Sequence, residues 1–304
     1  MADGKMHADE VDTDEALVRR LLAGQFPQWA DLSIERIASS GTDHAIYRLG
    51  DDLAVRLPRI HWATGQVEKD ERWLARLAPH LPLALPVPLA KGEPAEGYPW
   101  QWSVVPWLEG DAWTTDGVDD LCQAAIALAQ FITALQRIDT TGGPRGGPSN
   151  GYRGVPLAVR DADFRAQVTA SGDMVDARAM IAAWEAALAA PEWDGPPVWL
   201  HGDLARPGNL IVADGRLSAV IDFGCLGVGD PACELAAAWA LFSGESRDVF
   251  RAALPFDEAT WARARGWALT RVAAIPYSRE TNPPIVAEAL HAIGEVLADH
   301  TSGA

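Results

Sequence analysis

Cysteine is scarce, with three residues (Cys122, Cys225 and Cys233) in a chain of 304. Three cannot all pair, and their spacing fits no metal-ligand pattern, so neither a disulfide framework nor a zinc site is expected. No stretch approaches the roughly 20 consecutive apolar residues that span a bilayer, and no membrane partner is expected. The opening residues, MADGKMHADEVDTDEAL, are acidic and lack an apolar signal core, so a cytoplasmic location is expected. Positive charge is also in short supply. Twenty-five Lys and Arg stand against 42 Asp and Glu, a formal charge of −17. That balance opposes binding to a nucleic-acid backbone. It favours solubility and steers cationic ligands toward any acidic cleft. No internal repeat is visible. What remains is ordinary globular composition, 48% hydrophobic and 22% charged, which excludes a disordered chain.

Residues 14–24 have helical spacing, with Leu17, Leu21 and Leu22 apolar and Gly24 as a stop. A strand-like run over 32–38 follows. The runs IYRLG and LAVRLP flank Gly50-Asp51-Asp52, a hairpin signal that predicts an antiparallel sheet. Over 65–77 the residues Val67, Asp70, Trp73, Leu74 and Leu77 share one helical face. WQWSVVPWLEG then reads as a buried strand ending at Gly110. Beyond it the pattern turns helical: 119–138 is amphipathic, and helices resume over 161–190 and through the C-terminal third. Six glycines and two prolines between 140 and 154 predict a long surface loop. The fold class expected is α+β, with a small antiparallel-sheet lobe over 1–106 and a larger, mainly helical lobe over 107–304.

The strongest chemical signal is WLHGDLARPGNLIV followed by LSAVIDFG. Asp203 follows His201-Gly202, Asn209 lies six positions later, and Asp222 lies 19 residues after Asp203. Phosphoryl transfer needs divalent metal on the β- and γ-phosphates and a carboxylate aimed at the acceptor hydroxyl. Two Asp and one Asn meet that need, and Asp222-Phe223-Gly224 matches the metal-binding triplet of protein kinases.

On these motifs the chain, from about residue 33 to 239, resembles the aminoglycoside phosphotransferase family, which has a two-lobed protein-kinase-like fold. The resemblance implies that Asp203 is the catalytic base, that Asn209 and Asp222 ligate Mg²⁺, and that His201 braces the loop. One feature departs from the family pattern: the Asp-to-Asn separation is six residues where the family has five. Either Pro207-Gly208 absorbs the extra residue as a bulge, or the second metal site is looser.

The resemblance also assigns the nucleotide clamp. Arg56 in LAVRLP takes the place of the strand lysine, and Asp70 takes the place of its helix partner. Arg grips phosphate with two donors, and the apolar neighbours of Asp70 turn it inward. SSGTDHAIYRLG occupies the place of the glycine-rich loop, where Ser40 and Thr42 are candidate phosphate donors, although it also reads as an ordinary polar hairpin. The hinge is expected near Val105-Pro106-Trp107. Proline has no amide proton, which leaves Val105 and Trp107 as donors to a purine. Asp230 begins a helix as a cap, and Glu234 after it either faces the cleft or solvates the helix.

The function expected is an ATP- or GTP-dependent O-phosphotransferase acting on a small antibiotic. An aminoglycoside is favoured by the resemblance together with the charge, with Glu234 and Glu280 lining its site and Tyr152 nearby. The alternatives are a macrolide phosphotransferase, a metabolite kinase of choline or homoserine type, and a nucleotide-binding pseudokinase. A protein kinase is disfavoured because no APE-terminated segment follows Asp222-Phe223-Gly224.

Overall fold

In the computed structural model, which describes residues 10–38 and 43–302, the first helix begins where the sequence places a cap. The Asp14 side chain accepts the Leu17 amide at 2.7 Å and opens α1 (Glu15–Gln25). Leu17, Val18, Leu21 and Leu22 form its buried stripe. Gly24 does not stop this helix, which runs one residue further and ends against Phe26.

One compact unit comprises residues 10–38 and 43–79 together with Ala84–Gly110 and Ala219–Gly224. Its sheet contains β1 (Ile34–Ile37), β2 (His44–Leu49), β3 (Leu53–Pro58), β4 (Ala90–Gly92) and β5 (Trp102–Pro106), in the order β1-β2-β3-β5-β4 and antiparallel throughout. Gly50, at φ +59, turns the β2–β3 hairpin. The inward residues Tyr47, Leu49, Val55, Leu57, Trp102 and Val104 pack with the α1 leucines into one core. Helix α2 (Gln66–Leu77) lies between β3 and β4 in the chain, and Val67, Asp70, Trp73, Leu74 and Leu77 are buried on it. The segment Ala219–Gly224 is held by a parallel bridge from Ala84 to Ala219 and by the Val220 amide on the Ala84 carbonyl at 3.0 Å.

The second unit comprises His80–Leu83, Asp111–Ser218 and residues 225–302. The division therefore falls at Gly110, not residue 106, and it returns the Asp222 segment to the first unit. Sequence pattern reveals neither point, because spatial grouping of separated segments leaves no local signature. Here β6 (Asp111–Ala112), β8 (Leu210–Ala213) and β9 (Arg216–Val220) form one small sheet, and β7 (Val198–Leu200) pairs with β10 (Gly227–Gly229). The rest is helical: α3 (Leu121–Gln136), α4 (Asp161–Ser171), α5 (Ala177–Leu188), α6 (Ala232–Leu235), α7 (Ala237–Leu241), α8 (Gly244–Ala252), α9 (Glu258–Leu269), α10 (Ala274–Ser278) and α11 (Pro283–Ser302). Asp120, Asp176 and Asp257 cap α3, α5 and α9 through their carboxylates. Trp184, Trp199, Trp239, Phe131, Phe242 and Phe250 are fully buried.

The glycine-rich stretch 140–154 is fastened down. The Val228 amide donates to Pro144 O at 2.8 Å, and the Asp230 amide donates to Gly154 O at 2.9 Å. Asn150 is 1% exposed and holds the turn through Gly147 N and Arg153 O. Local composition predicts a loop and is silent on these tertiary bonds.

Candidate active site

The segment after β7 is held from behind. His201 N and Gly202 N donate to the two carboxylate oxygens of Glu234, at 2.9 and 2.7 Å. Gly202 sits at φ +87, where an added Cβ would stand 2.5 Å from the Cys225 carbonyl oxygen, so only glycine fits. Burial pushes the Glu234 carboxyl up to about 7; the Gly202 and His201 amides pull it back, Asp203 adds to the rise, and Arg153 opposes it. Glu234 therefore holds the Asp203 loop from behind and is not among the residues that line the cavity beside Asp203. Its place after Asp230-Pro231 carries no signal of that long-range bond.

Asp203 comes next, its amide donating to His201 Nδ1 at 3.2 Å. Its carboxylate faces two groups. Arg153 Nη2 is 3.5 Å from Oδ1, and Asn209 Nδ2 donates to Oδ2 at 3.3 Å and to the Asp203 carbonyl at 3.0 Å. The extra residue between Asp203 and Asn209 is absorbed by two tight turns. Arg206 N donates to Asp203 O at 3.2 Å, and Asn209 N donates to Arg206 O at 3.0 Å through the 3₁₀ turn Pro207–Asn209. The bulge holds Asn209 against Asp203.

A cavity of about 190 Å³ opens beside Asp203, lined by Arg153, Arg206, Arg271, Trp267 and Ile285 among others. Arg153 is fixed by its own bonds, Nε to Gly202 O at 2.7 Å and Nη1 to Gly151 O at 3.3 Å. Arg271 reaches Glu288 at 3.4 Å. Burial holds the Arg271 guanidinium below the ordinary arginine range, with Arg206 and Arg153 adding to the effect against Asp203 and Glu288. Glu280 is exposed and does not line this cavity. Sequence reasoning named none of the three arginines, since they come from positions more than fifty residues apart.

The first unit holds the other cluster. Arg56 on β3 pairs with Asp70 on α2 at 3.1 Å, both side chains buried. Burial pushes Asp70 up to about 6, against the charges of Arg56 and Lys69 and with that of Asp222. Asp222 occupies the left-handed region at φ +62 and accepts from Gln66 Nε2 at 3.3 Å. Lys69 donates to the Gly224 carbonyl. The first turn and a half of α2 thus clamps the Asp222-Phe223-Gly224 segment. His44, unmarked in the sequence, is buried beside this cluster; burial and then Arg56 push it down to about 3, so it is neutral at physiological pH.

The expected hinge donors are spent. Trp107 N donates to Asp52 O at 2.7 Å. Two residues along the same antiparallel ladder Val105 faces Ala54, which the alternation of such ladders makes the next hydrogen-bonded pair. Register of this kind is invisible in composition. Ser40 and Thr42 lie outside the described residues.

A family model described as "Phosphotransferase enzyme family" matches residues 34–267. The chain belongs to this family. It is therefore a phosphotransferase, a kinase with an alcohol group as acceptor. Among solved structures it is similar to the GDP complex of wild-type aminoglycoside 2'-phosphotransferase-IIIa, with a TM-score of 0.73 at 16% identity, covering 95% of this chain and 100% of that one. It is similar also to the ADP-bound aminoglycoside phosphotransferase APH(2'')-Ib, at TM-score 0.59, 16% identity and 94% and 99% coverage. A third likeness is to macrolide 2'-phosphotransferase MphH from Brachybacterium faecium, at TM-score 0.60, 24% identity and 93% and 98% coverage. At these identities the likeness establishes the protein-kinase-like fold. A search of curated proteins gave no match. Among the described residues of this phosphotransferase, no helix is long and apolar enough to cross a membrane.

Proposed function

We propose that this phosphotransferase moves the γ-phosphoryl group of a nucleoside triphosphate, ATP or GTP, to a hydroxyl of a small antibiotic or metabolite. The observation that carries the reading is the return of Asn209 onto Asp203 across the lengthened linker. The same geometry argues against a pseudokinase whose second metal position has been lost. Nucleotide-bound relatives, GDP and ADP complexes among them, support a nucleotide donor.

In the proposed step the acceptor oxygen attacks the γ-phosphorus, the bond to the β–γ bridging oxygen breaks, and the nucleoside diphosphate leaves. The hydroxyl proton passes to Asp203. Arg153 and Asn209 fix the carboxylate, and Glu234 fixes the backbone that carries it. In the first unit Arg56, aligned by Asp70, is assigned to the nucleotide phosphates.

The donor chemistry fits magnesium. Mg²⁺ favours one or two hard oxygen ligands from protein, the rest coming from phosphate and water. The Asp222 carboxylate and the Asn209 side-chain amide oxygen would supply such ligands. When bound, the ion neutralises charge that develops on the phosphates.

The test has two arms. Asp203→Ala is expected to reduce turnover by about 10² to 10⁴-fold with nucleotide affinity retained. Asp222→Asn is expected to weaken Mg²⁺-dependent nucleotide binding measured by calorimetry. Normal turnover in the first variant, or unchanged binding in the second, refutes the corresponding role.

The aminoglycoside reading rests on the resemblance and the −17 charge. A polyamine acceptor needs carboxylates around it. Glu234 and Glu280 supply none to the cavity at Asp203, so net charge is no guide to the local site.

A further inference from the structure

We propose that Gln66 is a positioning residue for the metal site of this phosphotransferase, holding the Asp222 carboxylate where it meets Mg²⁺. The inference rests on the proposed role of Asp222 as a Mg²⁺ ligand. Gln66 is the first residue of α2 and is 6% exposed, and a buried amide is costly unless its hydrogen bonds are made. Its Nε2 donates to Asp222 Oδ1 at 3.3 Å. A carboxylate only accepts, so the NH₂ end of the amide must face it. The same amide lies against Gly224: a Cβ added there would stand 3.3 Å from Gln66 Nε2, from Gln66 Oε1 and from Asp222 Oδ1. Three residues along the helix, Lys69 donates to the Gly224 carbonyl.

Asp222 needs such support. Its backbone sits at φ +62, and a residue in that region persists only where its surroundings over-determine it. A ligating carboxylate is oriented by the hydrogen bonds it accepts, and removing such a partner typically costs about 10–100-fold in metal affinity. One bond from Gln66 still leaves lone pairs on both Asp222 oxygens for a cation. Gln66, Lys69 and Asp70 stand at i, i+3 and i+4 and so share a face of α2. Asp70 pairs with Arg56 at 3.1 Å. One turn of a single helix, about 6 Å of rise, therefore spaces the residue that orients the metal carboxylate from the residue that orients the phosphate arginine. All of these groups belong to the first compact unit.

Gln66→Met keeps the length of the side chain and removes the donor. ATP binding by this variant, followed by calorimetry, is expected to need about 10–100-fold more Mg²⁺. ATP affinity in EDTA, assigned to Arg56 and Asp70, should stay at the native value. Saturating Mg²⁺ should return most of the turnover, which it would not do for a folding defect. Gln66→Asn, whose amide is one methylene too short to reach, should behave in the same way and carries the test if the methionine variant does not fold. A double-mutant cycle then reads the route of the effect. On an Asp222→Ala background, Gln66→Met should change Mg²⁺-dependent binding by less than about twofold, because its influence runs through that carboxylate. An undiminished effect on that background, or a loss of ATP affinity in EDTA, overturns the inference. Asp222→Ala by itself separates the inference from the reading beneath it. Weakened Mg²⁺-dependent binding there, with a native Mg²⁺ requirement in the Gln66 variants, overturns the role of Gln66 alone. Native Mg²⁺-dependent binding in Asp222→Ala overturns the metal assignment and the inference with it.

Discussion

Replacing Glu234 by alanine would cut the support under the Asp203 loop. The two amides it holds, His201 N at 2.9 Å and Gly202 N at 2.7 Å, are buried bonds to a carboxylate that is 1% exposed. Each buried donor left unpaired costs about 1–3 kcal/mol. Two of them give about 2–6 kcal/mol, and removing a buried carboxylate offsets part of that cost. A net loss of about 3 kcal/mol is expected, read from thermal or denaturant unfolding. Turnover should fall with it, because Asp203 follows Gly202 directly, while nucleotide affinity, assigned to Arg56 and Asp70, should hold. The pH dependence sharpens the test. Burial raises the Glu234 carboxyl from 4.5 to about 7, so the fold favours its protonated form. The resulting stability is fully present below pH 4.5 and fades as pH rises through 7. Between pH 5 and pH 8 the native chain should lose about 2–3 kcal/mol relative to Glu234→Gln, which has no proton to release. A Glu234→Ala chain within about 0.5 kcal/mol of native stability, the usual range for inconsequential surface changes, would refute this account of the loop.

Two other perturbations follow from the geometry. Arg263→Ala should destabilise the chain by about 3–5 kcal/mol, because Asp230 would lose a bidentate partner at 2.8 and 3.2 Å and remain buried; unfolding in denaturant measures this, and a change below about 1 kcal/mol would contradict it. Deleting Ala205 restores a five-residue spacing but breaks the turn from Asp203 O to Arg206 N. Turnover should drop without tighter metal binding, and an apparent Mg²⁺ requirement about tenfold lower would show that the native spacing is a defect.

The motifs that carry chemistry were readable because each is local. HGD, the Pro-Gly-Asn turn and Asp222-Phe223-Gly224 fix residue types over a few positions, and helical periodicity placed Asp70 inward, where it is 2% exposed. The hairpin, the main helices and the mixed α+β class follow from patterning on the same scale. The lining of the cavity beside Asp203 was not readable. Arg153 arrives on a glycine-rich loop that composition marks only as a loop, and Arg271 from the turn after α9. Their convergence on Asp203 depends on tertiary bonds such as Asp230 N to Gly154 O. The strand pairing of Val105 and Trp107 was hidden for a related reason. Strand register decides which N–H groups are spent, and neither residue type reports it.

Asp222 carries a consequence of a different kind. At φ +62 it occupies a backbone region that glycine enters freely and other residues enter at a cost of about 1–2 kcal/mol. On backbone conformation alone, Asp222→Gly would relieve part of that cost, at the loss of the hydrogen bond from Gln66. An aspartate kept at such a position trades robustness for a side chain, so random drift under selection for stability alone should erode it first. Libraries of this gene screened only for soluble yield would therefore be expected to accumulate glycine at position 222, while the same libraries screened for phosphoryl transfer would not.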